Sequence, residues 1–297
     1  MKRVFSYTIS EENLAPTIND FLKSRDFGAK ILTVLRHSPG TVFLNKEEVL
    51  LKTPLHVGDL IEIIWSEDTS SEHIPPVKLP LDIVYEDEDI MVINKPANMP
   101  IHPSLNHYEN TLGNALAYYF EKKGTPFVFR CINRLDKNTT GLTLIAKNRI
   151  AGGILSAALS DKKTSGLYRE YLAICKGSLP DSEGTINAPI SRVDGSTIER
   201  QVDYNDGEEA ITNYKVIHEK DGHSLVSLVL ETGRTHQIRV HMKHLGYPLI
   251  GDYLYNPDME KMSRQALHSY KLSFIHPISK EKLEFTTPLP EDMAWIN

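Results

Sequence analysis

The segment 67–80, EDTSSEHIPPVKLP, divides the chain more clearly than any other stretch of its sequence. It is rich in serine, acidic residues and proline, and Pro75 and Pro76 are adjacent, which is typical of a linker. We therefore predict a small domain in residues 1–66 and a larger one in residues 81–297. A chain of 297 residues can bury a substantial core without disulfides or metal ions.

Both predicted domains combine helices and strands. In residues 1–66, apolar residues recur at helical spacing in 18–22 and 31–35, and 41–44 and 60–65 are typical of strands. In residues 81–297 the strand-like segments are 90–94, 141–146, 170–175, 224–230 and 282–285, and the helix-like segments are 111–119, 150–159 and 237–244. Few regular βαβ repeats occur, so we predict an α+β fold with a mixed, largely antiparallel sheet.

Composition and charge limit the cellular compartments and the binding partners to be expected. The two cysteines, Cys131 and Cys175, form no CxxC pair, which favours a reducing compartment. The N-terminus lacks the apolar segment of a signal peptide, and no apolar run approaches the length of a membrane span. We therefore expect a cytoplasmic protein that does not bind membranes. The net charge of −6 argues against a nucleic-acid partner unless positive charge is concentrated in one place.

The first segment that could carry out chemistry is Asn133–Gly141, NRLDKNTTG. Asp136 lies there among basic residues, which favour the ionised carboxylate that a nucleophile or general base requires. The same pattern is typical of a structural turn in which an aspartate accepts hydrogen bonds from nearby backbone N–H groups. The segment alone favours the structural interpretation.

The second segment is Gly233–His244, GRTHQIRVHMKH, in which half of the positions are basic. As a helix from Gln237 it would place Arg239 and Lys243 on one face, four residues apart. His241 and His244 have the spacing of metal ligands, but no cysteine or suitably placed carboxylate accompanies them, so we expect no metal ion. A solvated basic helix remains the alternative.

Two further segments are individually uninformative. Tyr171 lies on the predicted strand 170–175, where a tyrosine is more often a core residue than a catalytic one. Residues 86–96 form an acidic turn followed by an apolar strand that ends at Lys95, and a proline-rich loop then carries His102. Lys95 and His102 could line a site or face solvent.

Taken together, these segments resemble the RluA-type family of RNA pseudouridine synthases. The resemblance covers about residues 80–290 and rests on several blocks in the family's order: 86–96 with 102–103, 133–141, 169–173, 210–212, 233–241, 251–252, 267–268 and 276–277. The first domain is similar to an RNA-binding module of the S4 type. Two positions depart from the family pattern, since Asn133 replaces the usual histidine and Thr140 the usual serine.

The resemblance implies a catalytic centre and a substrate site. It implies that Asp136 is the catalytic carboxylate, that Arg239 pairs with it, and that Tyr171 stacks on the uracil and assists removal of the C5 proton. It also implies that Arg134 extrudes the base or holds the RNA backbone, and that the remaining substrate contacts come from Asn133, Thr140, Arg234, His236, Gln237, Lys95 and His102. The base must leave the stack to be reached. No cofactor is expected, because the isomerisation is redox-neutral.

A net negative charge and an RNA substrate are compatible only if positive charge is concentrated where the RNA binds. We predict a basic cleft built from Arg134, Arg234, Arg239 and Lys243 within an otherwise acidic surface. The expected substrate is ribosomal RNA, with large-subunit RNA favoured by the S4-like head and transfer RNA as the alternative, and the expected state is a monomer. Three other functions stay open: a catalytically silent RNA-binding protein, a ribosome-assembly factor, and a hydrolase that pairs Asp136 with a second carboxylate.

Overall fold

The N-terminal part of the molecule is a small sheet covered by two helices. The computed structural model describes residues 2–105, 107–160 and 166–296. Its first elements are β1 (Lys2–Thr8), α1 (Ile18–Ser24), α2 (Ala29–His37), β2 (Val42–Leu44), β3 (Glu47–Glu48) and β4 (Leu60–Ser66). The strands form an antiparallel sheet in the order β1-β4-β2-β3. Both predicted helices are confirmed, and their apolar residues pack on this sheet.

The rest of the chain is built around one large sheet. Its elements are β5 (Ile83–Glu86), β6 (Ile90–Lys95), α3 (Leu112–Lys122), β7 (Thr140–Ala146), α4 (Arg149–Ser160), β8 (Tyr168–Lys176), β9 (Glu183–Asn187), β10 (Ile190–Arg192), β11 (Arg200–Val202), β12 (Ile211–Lys220), β13 (His223–Leu230), α5 (Gln237–His244), β14 (Leu267–Ile275), β15 (Lys282–Thr286) and a 3-10 helix at Glu291–Ile296. The sheet order is β5-β6-β7-β14-β8-β13-β12-β9, with β15 paired to β14. Every pairing is antiparallel except that of β7 with β14, so the predicted mixed, largely antiparallel α+β fold is confirmed.

Alternating side chains of β6 enter two different cores. Ile90 and Val92 pack against α4, whereas Met91 and Ile93 pack against α3. This alternation follows from the period of two in an extended strand, and burial on both faces accounts for the unbroken apolar run. The predicted strands and helices of the large domain are all present, within a few residues at each end. No helix in the described ranges has both the length and the apolarity to cross a membrane.

The N-terminal part shares its core with the larger part. Ile150 and Ile154 of α4 belong to the same apolar cluster as the buried residues of α1, α2 and β4. Arg3 also forms an ion pair with the buried carboxylate of Asp89, at 3.0 Å. The two parts are therefore joined by apolar packing and by a charged contact.

The segment 67–80 contains no helix or strand, as its composition indicates, yet it lies against the larger part. Glu67 pairs with Arg130 at 2.7 Å, and the hydroxyls of Ser70 and Ser71 accept hydrogen bonds from the backbone N–H groups of Phe127 and Phe129. The segment is thus bonded along its length rather than free in solvent. The domain boundaries at 66 and 81 stay a prediction.

Gly141 allows β7 and β14 to run side by side. Its φ angle is +103°, and a Cβ placed on it would lie 2.3 Å from the carbonyl oxygen of Ser269 on β14. Gly141 also pairs with Lys95 of β6, so it is held between two strands. A side chain at this position would push β14 away from the strand that follows the Asp136 loop.

We predict that Gly141→Ala lowers the free energy of unfolding by about 3 kcal/mol or more, because strain and a backbone clash add. The measurement is urea unfolding. Gly124→Ala is the matched control: Gly124 also has a positive φ, +64°, but nothing lies within 4 Å of its added Cβ. The control should lose only about 1 kcal/mol. Equal losses in the two variants would contradict the role of close strand packing.

The same pair of strands buries a histidine. The ring nitrogen Nδ1 of His268 lies 2.8 Å from the hydroxyl oxygen of Thr140, and His268 is 1% exposed. Burial lowers the pKa of His268 from 6.5 to about 4. The folded protein therefore holds a neutral imidazole where the unfolded chain would already be protonated.

We predict that this histidine makes stability fall with decreasing pH. Its contribution is fully present above pH 6.5, and it declines as the pH drops to about 4, since only the unfolded state gains the proton there. The loss amounts to about 3 kcal/mol. Urea unfolding at several pH values checks this, and His268→Gln should flatten that part of the profile. A wild-type profile no steeper than that of the variant would contradict it.

Candidate active site

Asp136 lies on the loop before β7, and the buried side chain of Lys95 is hydrogen-bonded to this loop. The ammonium of Lys95 donates to the carbonyl oxygens of Pro96, Met99 and Lys137, at 2.8, 3.0 and 3.1 Å. Burial lowers the pKa of Lys95 to about 7, yet three hydrogen bonds use all three protons of an ammonium, so we assign the charged form. Lys95 is 0% exposed, which corrects the expectation that it contacts substrate directly.

Asn133 and Thr140 also fix the loop to the sheet. The Asn133 amide donates to the carbonyl of Leu142 at 3.1 Å and accepts from the N–H of Leu144 at 2.7 Å. An amide can donate and accept at once, as a neutral histidine does, which explains how asparagine serves at this position. The hydroxyl of Thr140 bonds to His268. Both side chains are buried, and their bonds are to protein groups.

Arg239 of α5 connects Asp136 to a second, buried aspartate. Its Nε and Nη2 donate to the two carboxylate oxygens of Asp252 at 2.7 and 2.8 Å, and its Nη1 donates to Asp136 at 3.0 Å. The backbone N–H groups of Leu254 and Tyr255 also donate to Asp252. The Asp136 carboxylate thus bonds to a guanidinium rather than to the N–H groups of its own loop. The predicted pairing of Asp136 with Arg239 is observed.

The three charges differ sharply in exposure. The side chains of Arg239 and Asp252 are 2% and 0% exposed, whereas that of Asp136 is 26% exposed. Burial alone would lower the pKa of Arg239, but the hydrogen bond and charge of Asp252 and the charge of Asp136 outweigh it and raise that pKa. The guanidinium therefore stays charged. Asp136 is the member of the trio that reaches solvent.

His236 stands at the start of α5 and faces the same carboxylate. Its φ angle of 58° is left-handed, and its Nε2 lies 3.9 Å from Asp136. Its Nδ1 lies 2.9 Å from the Tyr255 hydroxyl, which also accepts from the N–H of Arg200 at 2.9 Å. The Tyr255 proton is then directed at Nδ1, and the proton of the neutral imidazole is on Nε2, toward Asp136. Burial lowers the pKa of His236, which favours this neutral form.

Two connected cavities open onto Asp136. The smaller, of about 60 Å³, lies against Arg239, Gln237 and Thr139, and the larger is a cleft of about 620 Å³ that extends past Asn133 and His102. A cleft of this size is in the range of small-molecule sites. Predicted residues that line both cavities are Arg134, Asp136, Tyr171, Arg234 and His236. Lys95 and Thr140 line neither of them.

Gln237 borders the smaller cavity, but protein groups use its amide fully. Its oxygen accepts from the Thr232 hydroxyl and the Arg234 N–H, and its nitrogen donates to the Ile211 carbonyl and the Thr212 hydroxyl. These four bonds leave none for a substrate. Gln237 therefore anchors the first turn of α5, which corrects its predicted substrate contact.

His241, weighed as a metal ligand, is bonded at both ring nitrogens. They lie 2.9 Å from the Thr212 hydroxyl and 2.9 Å from the carbonyl oxygen of Ala188. It ties α5 to β12 and to the chain after β9. Its spacing to His244 reflects helix docking, since the buried imidazole has no nitrogen left for a metal ion.

The composition of the predicted basic cleft needs correction. Arg239 is neutralised by two carboxylates, and the Lys243 ammonium lies 5.4 Å from the ring centre of Tyr255. Arg134 and Arg234 do line the cleft. Arg234 forms an ion pair with Glu208 at 2.7 Å, whereas Arg134 is exposed and forms no hydrogen bond or ion pair within the described part of the chain.

The sequence-based prediction missed three residues of the site: Asp252, Tyr255 and Arg169. Arg169 lies on the same face of β8 as Tyr171, lines the cleft, and is 7% exposed. Its Nε is buried without a partner among the described residues, and its Nη1 would lie 3.0 Å from a Cβ on Gly233. Side chains two residues apart on a strand point to the same face, so the position of Tyr171 could have identified Arg169 as a neighbour in the site. Asp252 was visible in the sequence only as part of a Gly-Asp pair.

Comparisons with known proteins identify the family. Residues 89–244 match the family of RNA pseudouridylate synthases. The chain is 40% identical over 278 residues to the uncharacterized RNA pseudouridine synthase YjbO of Bacillus subtilis (strain 168), which spans 94% of this chain and 97% of that protein. It is 38% identical over 277 residues to ribosomal large subunit pseudouridine synthase D of Blochmanniella floridana, covering 85% and 84% of the two chains.

A solved structure supports the same assignment. Human RNA pseudouridylate synthase domain containing 1 superposes with a TM-score of 0.59 at 29% identity, over 72% of this chain and 85% of that one. The matched region 89–244 contains the Asp136 loop, β8 with Tyr171, and α5 with Arg239. The chain therefore belongs to the RluA-type family of RNA pseudouridine synthases, and it is an isomerase that acts on uridine in RNA.

Proposed function

We propose that this enzyme converts uridine to pseudouridine in large-subunit ribosomal RNA, with Asp136 as its catalytic carboxylate. The observation that carries the proposal is the position of Asp136, which is the partly exposed end of a buried charge trio and faces a cleft of about 620 Å³. Arg239 holds the carboxylate in one orientation. A fixed group that already points at the reacting centre lowers the entropic part of the barrier.

The reaction breaks the N1–C1′ bond of uridine, turns the uracil, and joins C5 to C1′. C5 loses a proton and N1 gains one, so the reaction needs neither an oxidant nor an energy donor, and we propose that it uses no cofactor. The carboxylate could attack C1′, attack the base, or remove a ribose proton. Each route starts from the ionised form of Asp136, and the Arg239 guanidinium lies 3.0 Å from that carboxylate.

Tyr171 is proposed to pack on the uracil while it turns. It lines both cavities beside Asp136, and burial raises the pKa of its phenol. A phenol that stays protonated at neutral pH is a poor acceptor for the C5 proton. Packing and hydrogen bonding therefore suit Tyr171 better than the role of a general base.

Arg134 is proposed to hold the flipped nucleotide at the mouth of the cleft. It follows Asn133 on the Asp136 loop and has no ion-pair partner within the described ranges, so its guanidinium is available to phosphate. Arg234 and His102 lie on the same cleft lining. RNA would reach Asp136 past these three side chains.

Large-subunit ribosomal RNA is the proposed substrate, and transfer RNA is the alternative. Relatives such as ribosomal large subunit pseudouridine synthase D support this choice. Residues 1–66 are proposed to act as an S4-like RNA-binding domain, since Lys23, Lys30 and Arg36 are exposed on α1 and α2. The free cysteines Cys131 and Cys175 suit a reducing compartment, and we propose a cytoplasmic monomer.

We predict that Asp136→Asn abolishes isomerisation, with a rate loss of at least about 10³-fold, while RNA binding is retained. The assay measures tritium released to water from RNA labelled at uracil C5, with ribosomal and transfer RNA tested separately. Asp68→Asn, at an exposed position of the linker, is the control and should keep full activity. RNA binding by wild type without tritium release from either pool would instead favour a catalytically silent RNA-binding protein.

We predict that Arg239→Lys lowers kcat about 10²-fold, because one ammonium cannot bond to both carboxylates and Asp136 loses its fixed orientation. The measurement is kcat in the tritium-release assay at saturating RNA, with KM determined alongside, since a loss of orientation lowers kcat more than it raises KM.

Arg3→Lys is the control for this variant. The Arg3 guanidinium also donates two hydrogen bonds to one carboxylate, that of Asp89, at 3.1 and 3.0 Å, and this contact joins the N-terminal part to the larger part. The control variant should leave kcat nearly unchanged. If Arg3→Lys and Arg239→Lys lower kcat equally, the effect is one of general stability and the assigned role of Arg239 fails.

A further inference from the structure

A third cavity lies beside the catalytic cleft and has no role in the reaction as derived above. Its volume is about 380 Å³, and it shares Arg134, Gly233, Arg234 and Thr235 with the cleft. Its other described lining residues are Ile190, Ser191, Arg192, Arg200, Asp206 and Glu208. Four arginines and two carboxylates therefore surround it, in a chain whose net charge is −6. We call this cavity the arginine pocket.

Two of these arginines face each other in an arrangement that the protein does not neutralise. Arg192 and Arg200 are directly opposite on the antiparallel pair β10–β11, and like charges in such positions destabilise a strand pair. The Arg192 side chain is exposed and forms no hydrogen bond or ion pair in the ranges that the structure describes. The Arg200 guanidinium donates to the carbonyls of Ile198 and Glu199, which satisfies protons but leaves the charge.

The strand pair that carries these arginines is fixed to the catalytic centre. The backbone N–H of Arg200 donates to the Tyr255 hydroxyl, which also contacts His236. Ile190 exchanges two backbone hydrogen bonds of 2.9 Å with Glu208 and packs with Tyr255. The arginines thus stand at a set position relative to Asp136, as a site for one defined group of the substrate requires.

We propose that the arginine pocket binds the phosphodiester backbone of the RNA strand that flanks the target uridine. Guanidinium groups match phosphate oxygens in geometry and charge, and phosphate would relieve the repulsion between Arg192 and Arg200. Ile190 is the one large apolar side chain of the described lining, so the pocket suits a charged backbone better than protein side chains. This inference rests on the proposed function, since it names the part of the RNA bound next to the reacting nucleotide.

The test compares Arg192→Gln and the double variant Arg192→Gln/Arg200→Gln with wild type. Binding to a single-stranded oligouridylate and to unmodified large-subunit RNA is measured by fluorescence anisotropy over a range of salt concentrations. Each lost phosphate contact should reduce the slope of log affinity against log salt by about 0.7. In the tritium assay KM should rise about tenfold with kcat nearly unchanged, because the lost contact is a charge-assisted hydrogen bond outside the reacting centre.

Lys282→Gln is the control for the loss of one positive charge. Lys282 is exposed on β15 and pairs with Ile275, at the opposite end of β14 from Leu267, which lines the smaller cavity at Asp136. It should leave affinity and salt slope nearly unchanged. The Arg192 side chain has no described partner, so the single variant should fold normally even if the double variant does not.

Glu208→Gln provides a change in the opposite direction. The Glu208 carboxylate is 70% exposed and pairs with Arg234, so its removal should raise RNA affinity. The proposal is overturned if both arginine variants match Lys282→Gln in affinity and slope. If the salt slope falls as expected but wild type releases no tritium, the arginine pocket stands and the proposed function fails.

Discussion

The proposed catalytic centre depends on one buried guanidinium that needs two carboxylates. A charge at 2% exposure is costly unless it is paired, and Asp252, fully buried, supplies the structural partner of Arg239. Its two oxygens occupy Nε and Nη2, so only Nη1 is directed at the cleft. The position of Asp136 is therefore set by an ion pair that lies behind it. This arrangement separates the group that orients the carboxylate from the solvent that reaches it.

Buried polar contacts place the elements that carry these groups. Gln237 and His241 both bond to the hydroxyl of Thr212, which fixes the rotation of α5 against β12. On the other side, Lys95 and Asn133 hold the Asp136 loop to β6 and β7. Such contacts demand exact partners, whereas apolar packing tolerates small shifts. The distance between α5 and the loop is thus defined by hydrogen bonds on both sides.

The sequence predicted the periodic parts of the fold and the chain segments that form the site. Strands such as β6 and helices such as α3 have long apolar patterns, and the blocks around Asp136 and Arg239 were recognisable together. The central strand β14, LHSYKLSFI, was missed because it buries His268, Ser269 and Ser273, and its polar residues hide the pattern of a core strand.

The roles of individual polar residues were harder to predict, since residue type does not tell whether a group faces substrate or protein. Lys95, Thr140 and Gln237 proved to be bonded within the protein. The pairing of Arg239 with Asp136 was predicted, but the buried partner Asp252 was not assigned, because its pairing with Arg239 depends on the fold between them. The same holds for the strand pair β10–β11, whose arginines reach the cleft only through tertiary packing.

The contact between the N-terminal part and α4 fixes the distance between the two helices α1 and α2 and the Asp136 loop. Ile150 and Ile154 of α4 lie in the apolar core of the N-terminal part, so the small sheet cannot swing away without exposing them to water. A stem or loop held by α1 and α2 would then sit at one span and one direction from Asp136. Uridines would then be selected by their distance and direction from the RNA segment bound to α1 and α2. The identity of the neighbouring bases would matter less.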